Sequence, residues 1–209
     1  MKYNLIAIYI AHLFEKEVIP YTETNCPDLD IKPFKKRLKQ EYKAMVKRTP
    51  GVGSMKENPL SVVMYMACFG LSYYKAGQGK ISEDHFAGMI QAVCKSETMK
   101  KFYKGRYVFD EKNIAKYDKI HENSKKRKYP MDWVGEFRYD PSVPEFYLTY
   151  RECGICKLAK QENLSFLVKH MCLMDYPAIE YMKGKLLRSK TLGKGDECCD
   201  FHVVKAEGE

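Results

Sequence analysis

Residues 133–151 read WVGEFRYDPSVPEFYLTYR, and in this stretch the hydrophobic period of the chain changes from helical to alternating. Two short runs place large apolar side chains at every second position, as a half-buried strand does. The positions concerned are Trp133, Phe137 and Tyr139, with Gly135 on the same face, then Phe146, Leu148 and Tyr150. Residues 140–144 between the runs, DPSVP, are turn formers, so the stretch predicts an antiparallel hairpin with a long connection.

Upstream of the hairpin, the chain has the hydrophobic spacing of helices. Residues 3–16 are apolar around almost the whole helical circumference, which predicts a buried first helix. Further helices are predicted to open at Asp30, Asn58 and Ser82, because each residue is a good N-cap before an amphipathic run. We therefore expect residues 1–125 to form a helical layer.

Downstream of the hairpin, helical and alternating patterns are mixed. Helices are predicted at 154–162, 164–174 and 178–185, and short strands near 186–192 and 199–205. The predicted class is α+β, with an N-terminal helical layer packed on a C-terminal, mostly antiparallel sheet that carries inserted helices. We expect a single domain, 1–209, with a helical half at 1–125 and an α+β half at 130–205.

The composition is typical of a soluble globular protein. The chain is 45% hydrophobic and 30% charged, and it has no run of 18 apolar residues. The apolar stretch 5–14 continues into charged residues rather than a cleavage site, so no signal peptide is expected. Cysteines within helical apolar stripes indicate reduced thiols, and we expect a cytoplasmic protein.

The net charge of +9 raises the question of an anionic partner. The run KKRK at 125–128 concentrates part of this charge, but no nucleic-acid-binding motif accompanies it and a solvated linker explains it. We therefore expect no nucleic acid or membrane partner. A small-molecule substrate, in particular a carboxylate, is favoured, and an oligomer is compatible with the sequence.

Reactive residues concentrate in the last third of the chain, which holds five of the eight cysteines. They occur in CGIC at 153–156, HMCLMD at 170–175 and TLGKGDECCDF at 191–201. Thiolates act as nucleophiles or soft-metal ligands, and carboxylates orient water or accept protons. These residue types fit either a catalytic site or a metal site.

Two functional interpretations of the cysteines stand beside the interpretation that they are ordinary buried residues. Cys153 and Cys156 form a CxxC pair at a strand-to-helix junction, but a thioredoxin-like fold would place this motif in an early βαβ unit. A zinc site made by Cys153, Cys172 and Cys199, with Cys156 or His170 as a further ligand, has suitable ligand types but lacks two short paired spacings. Cys199 is equally well explained as a buried residue on the strand face that it shares with Phe201. No cofactor is expected, with zinc or another divalent metal as the alternative.

Cys172 and Asp175 lie three residues apart, so on a helical turn both side chains face the same way. Asp175 also precedes Pro177 by two residues, and an aspartate before a proline-started helix commonly caps it. Arg188 carries the group that binds a carboxylate with two hydrogen bonds, although beside Lys190 on a strand it also fits a solvated face. Both pairs of interpretations remain open on the sequence.

The order of these residues resembles the L-2-amino-thiazoline-4-carboxylate hydrolase family. The resemblance covers residues 150–203 and rests on Cys153, Cys172 with Asp175, Thr191-Leu192, Gly195 and Cys199-Asp200-Phe201. TLGKGDECCDF is its most specific part, and it also resembles the ending of 4-vinyl-reductase-type small-molecule-binding domains. The chain differs from the family in having Asn163 where a glycine commonly follows the helix, and in the additional thiols Cys156 and Cys198.

The resemblance implies a hydrolase of cysteine metabolism that opens a small cyclic isothiourea-like or amide-like ring. It implies one pocket with catalytic candidates Cys153, Cys172, Asp175 and Cys199, and with substrate-binding candidates Arg188, Thr191, Gly195 and Asp200. Two other classes of function remain as alternatives. One is a small-molecule-binding or sensing module without turnover, and the other is a CxxC thiol oxidoreductase.

Overall fold

The computed structural model describes residues 1–206 of the chain. Its N-terminal part is helical, as predicted, with helices α1 Leu5–Asn25, α2 Ile31–Arg48, α3 Ser61–Ala76, α4 Glu83–Lys95, α5 Glu97–Tyr103 and α6 Glu111–Ser124. α1 runs well past residue 16, its predicted end, because Val18 and Ile19 continue its buried face. Ser96 caps α5 and so separates it from α4.

Side-chain caps decide where several of these helices begin. Asp30 and Ser82 cap α2 and α4 as predicted, each accepting a hydrogen bond from a backbone N–H two or three residues ahead. α3 begins at Ser61, later than predicted, although the side-chain oxygen of Asn58 does accept a hydrogen bond from the backbone N–H of Leu60 at 3.0 Å. The buried amide nitrogen of Asn58 also donates to the carboxylate of Asp132 at 2.7 Å, which ties this loop to the segment before β1.

The described strands form one antiparallel sheet in the spatial order β1-β2-β4-β3, with β1 Val134–Asp140, β2 Glu145–Glu152, β3 Gly184–Leu187 and β4 Cys199–Lys205. The predicted hairpin is confirmed, with Phe137 opposite Leu148. In the next pair, Tyr150 lies opposite Cys199, so β4 brings its cysteine to the end of β2. β3 begins and ends earlier than the predicted strand at 186–192.

Short helices are inserted between β2 and β3. These are α7 Gly154–Gln161, α8 Val168–Met171 and α9 Asp175–Tyr181, with 3-10 turns at Ser165–Leu167 and Cys172–Met174. Asn163 follows α7 with a φ of 59°, in the left-handed region that glycine and asparagine adopt most readily. This conformation explains why asparagine can stand where a glycine is common.

Helix α6 lies on the sheet and joins the two halves of the molecule. The ring of Tyr117 lies 5.9 Å from Phe137 and 5.5 Å from Phe146, and His121 stacks on Phe137 at 5.9 Å. Buried apolar side chains from the helices and the sheet belong to one core cluster. The predicted α+β class, with helices first and then an antiparallel sheet with inserted helices, is confirmed.

A buried carboxylate fastens the end of α7 to α2 and α3. The side chain of Glu162 is only 4% exposed and contacts Arg48 at 2.7 Å and Lys75 at 2.6 Å. The hydrogen bond from Arg48, helped by Lys75, lowers the pKa of Glu162 to about 2. The charged form of this residue therefore stabilises the packing of α7 on the helical layer.

Glu162→Gln is expected to lower the free energy of unfolding by about 2 kcal/mol at neutral pH, since Arg48 and Lys75 lose their counter-charge. The folded pKa lies below that of an unfolded glutamate, so this contribution is complete above about pH 5 and is lost as the pH falls towards 2. Urea denaturation across this range measures it. Glu122→Gln, which removes an exposed pair with Lys125, should have a smaller effect, and equal losses would contradict the assignment.

The described part of the chain, residues 1–206, contains no helix long and apolar enough to cross a membrane. All eight cysteines lie within this part, and all carry free thiols. Their environments range from fully buried, at Cys68, to partly accessible, at Cys172.

Candidate functional site

The CGIC motif begins where β2 ends, and Cys153 immediately precedes the first turn of α7. Gly154 packs so closely that a β-carbon on it would lie 2.5 Å from the carbonyl oxygen of Met131. A hydrogen bond between the thiols of Cys153 and Cys156, together with burial, raises the pKa of Cys153 well above its ordinary value. This outweighs the stabilisation of a thiolate that a helix N-terminus provides.

Cys172 lies in the turn before α9 and faces the loop between β3 and β4. A β-carbon on Gly193 would come within 2.9 Å of the Cys172 sulfur, so only a glycine lets this loop approach the thiol so closely. Burial, reinforced by the charge of Asp175, raises the pKa of Cys172 to about 12. The thiol is therefore protonated at neutral pH and needs a base before it can act as a nucleophile.

Asp175 and Arg188 form an ion pair, with Oδ2 and a terminal guanidinium nitrogen 2.6 Å apart. The side chain of Arg188 is 2% exposed, its other terminal nitrogen donates to the carbonyl of Cys172 at 2.8 Å, and its guanidinium lies 4.9 Å from the rings of Tyr176 and Phe201. Two sequence interpretations were therefore wrong. Arg188 does not lie on a solvated face, and Asp175 makes no capping hydrogen bond at the start of α9.

The carboxylate of Asp175 is both perturbed and accessible. Burial raises its pKa, and the charge and hydrogen bond of Arg188 oppose this rise. Its side chain nevertheless keeps 41% of its surface exposed, so a solute can reach it. A carboxylate that holds a proton more tightly than an ordinary aspartate, and that is open to solvent, suits a general base.

The catalytic candidates come together although they lie on separate segments of the chain. Besides burial, the charges of Asp175, Cys153 and Cys199 all raise the pKa of Cys172. Burial likewise raises the pKa of Cys199 to about 11, with further contributions from Cys153 and Asp175. Groups that shift each other's ionisation lie near one another. The contacts agree: the backbone N–H of Leu192 binds Cys199, the neighbouring Gly193 lies against the Cys172 sulfur, and Arg188 joins Asp175 to the Cys172 carbonyl. Cys153 follows the end of β2, where Tyr150 lies opposite Cys199. The individual roles of these four residues stay predictions.

The other candidates shape the loop that follows β3. Asp200 accepts hydrogen bonds from the backbone N–H of Lys190 at 2.6 Å and the hydroxyl of Ser189 at 2.5 Å, and this draws the chain out of the sheet. Gly195 has a φ of 97°, which lets the loop turn back. Thr191 is 4% exposed, and its hydroxyl has no hydrogen-bond partner among the described residues. Substrate contacts from these three residues stay predictions.

The proposed metal ligands have other neighbours in the structure. The sulfur of Cys199 accepts a hydrogen bond from the backbone N–H of Leu192 at 3.3 Å, and His170 pairs with Glu83 at 2.8 Å. In residues 1–206, no three His, Cys, Asp or Glu side chains are arranged to hold a metal ion. The expectation of a metal-free site stays a prediction for elemental analysis.

This cluster, built where β2, β4 and α9 meet, lies in a region that also matches a known family. The family model of the L-2-amino-thiazoline-4-carboxylic acid hydrolases matches residues 61–203. The chain belongs to this family. The resemblance recognised in residues 150–203 is thereby confirmed and extended to α3, the start of the match. Comparisons with curated proteins and with solved structures find no match.

The part of the chain matched by the hydrolase family contains three further residues that sequence reasoning missed. Tyr150 is buried, and Tyr103 and Tyr117 are half-buried. Loss of solvent is the first cause of their raised pKa values, and Asp175 raises all three further. Asp175 is therefore within electrostatic range of tyrosines from α5, α6 and β2. The chain has 16 tyrosines, but nothing in the spacing of these three separates them from ordinary core residues.

Cavity size alone does not locate the hydrolase-family site. A cavity of about 240 Å³ opens beside Asn58, Tyr129 and Asp132, and no cysteine lines it. The thiol cluster instead combines a protonated thiol, an accessible carboxylate and a buried guanidinium that holds the carboxylate in place. This combination can activate a nucleophile and transfer a proton to a leaving group.

Proposed function

We propose that the protein hydrolyses a small cyclic isothiourea or a related ring, with L-2-amino-thiazoline-4-carboxylate as the first candidate substrate. The observation that carries this proposal is the Asp175–Arg188 ion pair, whose arginine also donates to the backbone carbonyl of Cys172, within the region matched by the hydrolase family. A base next to a nucleophile, with both held by a third group, is the arrangement that nucleophilic or water-mediated hydrolysis needs.

The reaction adds one water molecule and breaks one carbon–sulfur bond. The water oxygen bonds to the ring carbon that carries the amino group, and one proton goes to the ring nitrogen. The bond from that carbon to sulfur then breaks, the carbon becomes a urea carbonyl, and the sulfur leaves as a thiol with the second proton. The product is N-carbamoyl-cysteine.

Asp175 is proposed to accept the proton of the attacking group and to return it to the leaving sulfur. The attacking group is either water or the thiol of Cys172, with Cys153 as the alternative thiol. If a thiol attacks, the ring carbon–sulfur bond breaks with the carbon held on the cysteine, and water then hydrolyses this second carbon–sulfur bond to give the urea carbonyl and restore the thiol. Because the pKa of Cys172 is about 12, attack by its sulfur must be accompanied by proton transfer to Asp175. A protonated isothiourea ring carries positive charge, so its binding would favour the ionised forms of both groups.

Buried polar atoms without partners support the proposed substrate contacts. Among the described residues, Nε of Arg188 and the hydroxyl of Thr191 are buried and make no hydrogen bond. Such groups usually meet a ligand or an ordered water molecule. Since the terminal nitrogens of Arg188 already bind Asp175 and the Cys172 carbonyl, we assign Arg188 first to positioning Asp175, with one N–H left for the substrate.

The alternatives differ in what the thiols must do. A binding or sensing module would use the same cluster without turnover. A thiol oxidoreductase needs a stabilised thiolate at Cys153, and the raised pKa of this thiol argues against it.

The eight free thiols also support the proposal of a reducing, cytoplasmic location.

Incubation of purified protein with L-2-amino-thiazoline-4-carboxylate is expected to release one thiol for each ring opened, measured with a thiol reagent and by mass spectrometry of the carbamoyl product. Protein purified without chelator should contain no stoichiometric metal by elemental analysis, and added zinc should not be required. If the protein bound this ring tightly but opened neither it nor related thiazoline and hydantoin rings, the binding module would replace the hydrolase as the proposed function.

A further inference from the structure

Tyr150 combines a buried ring with an unpaired hydroxyl. The residue is 8% exposed, and its hydroxyl makes no hydrogen bond within residues 1–206. The hydroxyl of Tyr42 is also unpaired but is sealed in the core, whereas that of Tyr150 keeps a small contact with solvent. A buried tyrosine usually finds a hydrogen-bond partner. The free hydroxyl of Tyr150 is therefore available to a ligand that enters the site.

The sheet places this tyrosine beside the cysteine of β4. Tyr150 lies directly opposite Cys199 in the antiparallel pair of β2 and β4. Opposite residues of such a pair direct their side chains to the same face of the sheet, with their β-carbons about 5 Å apart. Helix α6 covers this face, since the ring of His121 lies 5.2 Å from that of Tyr150. Tyr150 and Cys199 therefore share the face of the sheet on which the helices pack.

Ring contacts connect Tyr150 to the Asp175–Arg188 pair. The ring of Phe201 lies edge-on at 5.9 Å from that of Tyr150, and the guanidinium of Arg188 lies 4.9 Å from the same Phe201 ring. Arg188 in turn binds Asp175 at 2.6 Å. Tyr150 is therefore separated by one side chain from the guanidinium that positions the proposed base.

The ionisation of Tyr150 suits a hydrogen-bond donor. Burial raises its pKa well above the ordinary value, and nearby charges that include Asp175 raise it further. The hydroxyl therefore keeps its proton at neutral pH and cannot act as a base. In the proposed reaction, negative charge develops on the ring sulfur as its bond to carbon breaks. A donor held near that atom stabilises the charge without having to move first.

We propose that Tyr150 is a further catalytic residue, whose hydroxyl donates a hydrogen bond to the ring sulfur as the carbon–sulfur bond breaks. This inference rests on the proposed function and deepens it. The tyrosine keeps its proton throughout, and the sulfur receives its own proton from Asp175, so the reaction needs no further reactant. If a cysteine attacks the ring, the same hydrogen bond assists the first of the two bond cleavages.

Tyr150→Phe is expected to lower kcat for L-2-amino-thiazoline-4-carboxylate about tenfold or more and to change KM less than about twofold. The reason is that the lost hydrogen bond strengthens only as charge develops on the sulfur. Phenylalanine keeps the ring contacts with His121 and Phe201, so urea denaturation should show an unchanged free energy of unfolding.

Tyr42→Phe is the matched control, because it removes another buried, unpaired hydroxyl. Tyr42 lies on α2, outside the residues that the hydrolase family matches. This variant should keep the kcat and KM of the wild-type protein.

Binding of the product tests the same contact without turnover. In calorimetry, Tyr150→Phe should bind N-carbamoyl-cysteine about threefold or more weakly than the wild-type protein, because one hydrogen bond to sulfur is lost. It should bind N-carbamoyl-alanine, which has no sulfur, as tightly as the wild-type protein does. Tyr42→Phe should bind both ligands unchanged.

An unchanged kcat in Tyr150→Phe, an equal loss in Tyr42→Phe, or equal weakening of both carbamoyl ligands would overturn the inference. Absence of both turnover and product binding in the wild-type protein would overturn it together with the proposed function. Failure of the wild-type protein to open any ring, while binding of N-carbamoyl-cysteine still depends on Tyr150, would reject the hydrolase alone.

Discussion

Asp175→Asn is expected to lower the turnover of ring opening by about a hundredfold or more, because asparagine cannot accept the proton of the attacking group. The amide oxygen can still accept the hydrogen bond from Arg188, so the fold should be kept. Since a base must be unprotonated to act, wild-type activity should fall as the pH drops through the pKa of Asp175. Burial raises this pKa above the ordinary aspartate value, and the variant should lack this acidic limb of the profile.

Asp118→Asn, which removes the same charge from the exposed side of α6, should retain wild-type activity. Cys172→Ser tests the nucleophile separately and should lose about a hundredfold if the thiol attacks the ring, with Cys26→Ser, outside the cluster, as its control. Unchanged turnover and an unchanged pH profile in Asp175→Asn would remove this carboxylate from the mechanism. Loss in Asp175→Asn alone would favour direct attack by water.

Gly154→Ala is expected to lower the free energy of unfolding by about 3 kcal/mol and to abolish most of the turnover. The added β-carbon would lie 2.5 Å from the backbone carbonyl oxygen of Met131, and 2.9 Å from side-chain atoms of Met64 and Trp133. A backbone carbonyl cannot rotate away as a flexible side chain can. The start of α7 must therefore shift, and Cys153 is the residue that immediately precedes it.

Gly51→Ala provides the control, because a β-carbon there would meet no atom within 4 Å. This change should alter stability little, or increase it slightly by restricting the unfolded chain. Urea denaturation and the ring-opening assay measure both variants. A Gly154→Ala protein as stable and active as Gly51→Ala would show that the packing around the CGIC motif is looser than the structure indicates.

The hairpin could be predicted because its information is local. Alternation of apolar and polar side chains over residues 134–152 directly reflects the two faces of a strand, and the turn formers between the runs set the connection. Helix boundaries were less accessible. Asparagine is a common N-cap residue, but the amide of Asn58 also donates to Asp132, 74 residues later in the chain. No local sequence pattern predicts a contact between such distant residues.

The sequence could predict those residues of the candidate site that belong to the family motif. Cys172, Asp175 and Cys199 stand within the part of the chain that resembles the family, and their residue types already suggested a nucleophile with a base. Tyr103 lies about 70 residues before Asp175, in a stretch whose spacing is that of an ordinary helix end. Its place near α9 depends on the packing of α5 on α9, which sequence spacing does not encode.

By itself, the sequence determined the α+β class, the hairpin and the Cys/Asp motif, because hydrophobic period, capping residues and motif order are properties of neighbouring positions. Only the tertiary structure decided that Arg188 is buried and paired with Asp175 rather than solvated. It also decided that the β2–β4 register places Cys199 opposite Tyr150, near the end of β2, and that the backbone N–H of Leu192 binds the Cys199 sulfur. Those contacts join distant segments, and their geometry and burial arise only when the whole core is packed.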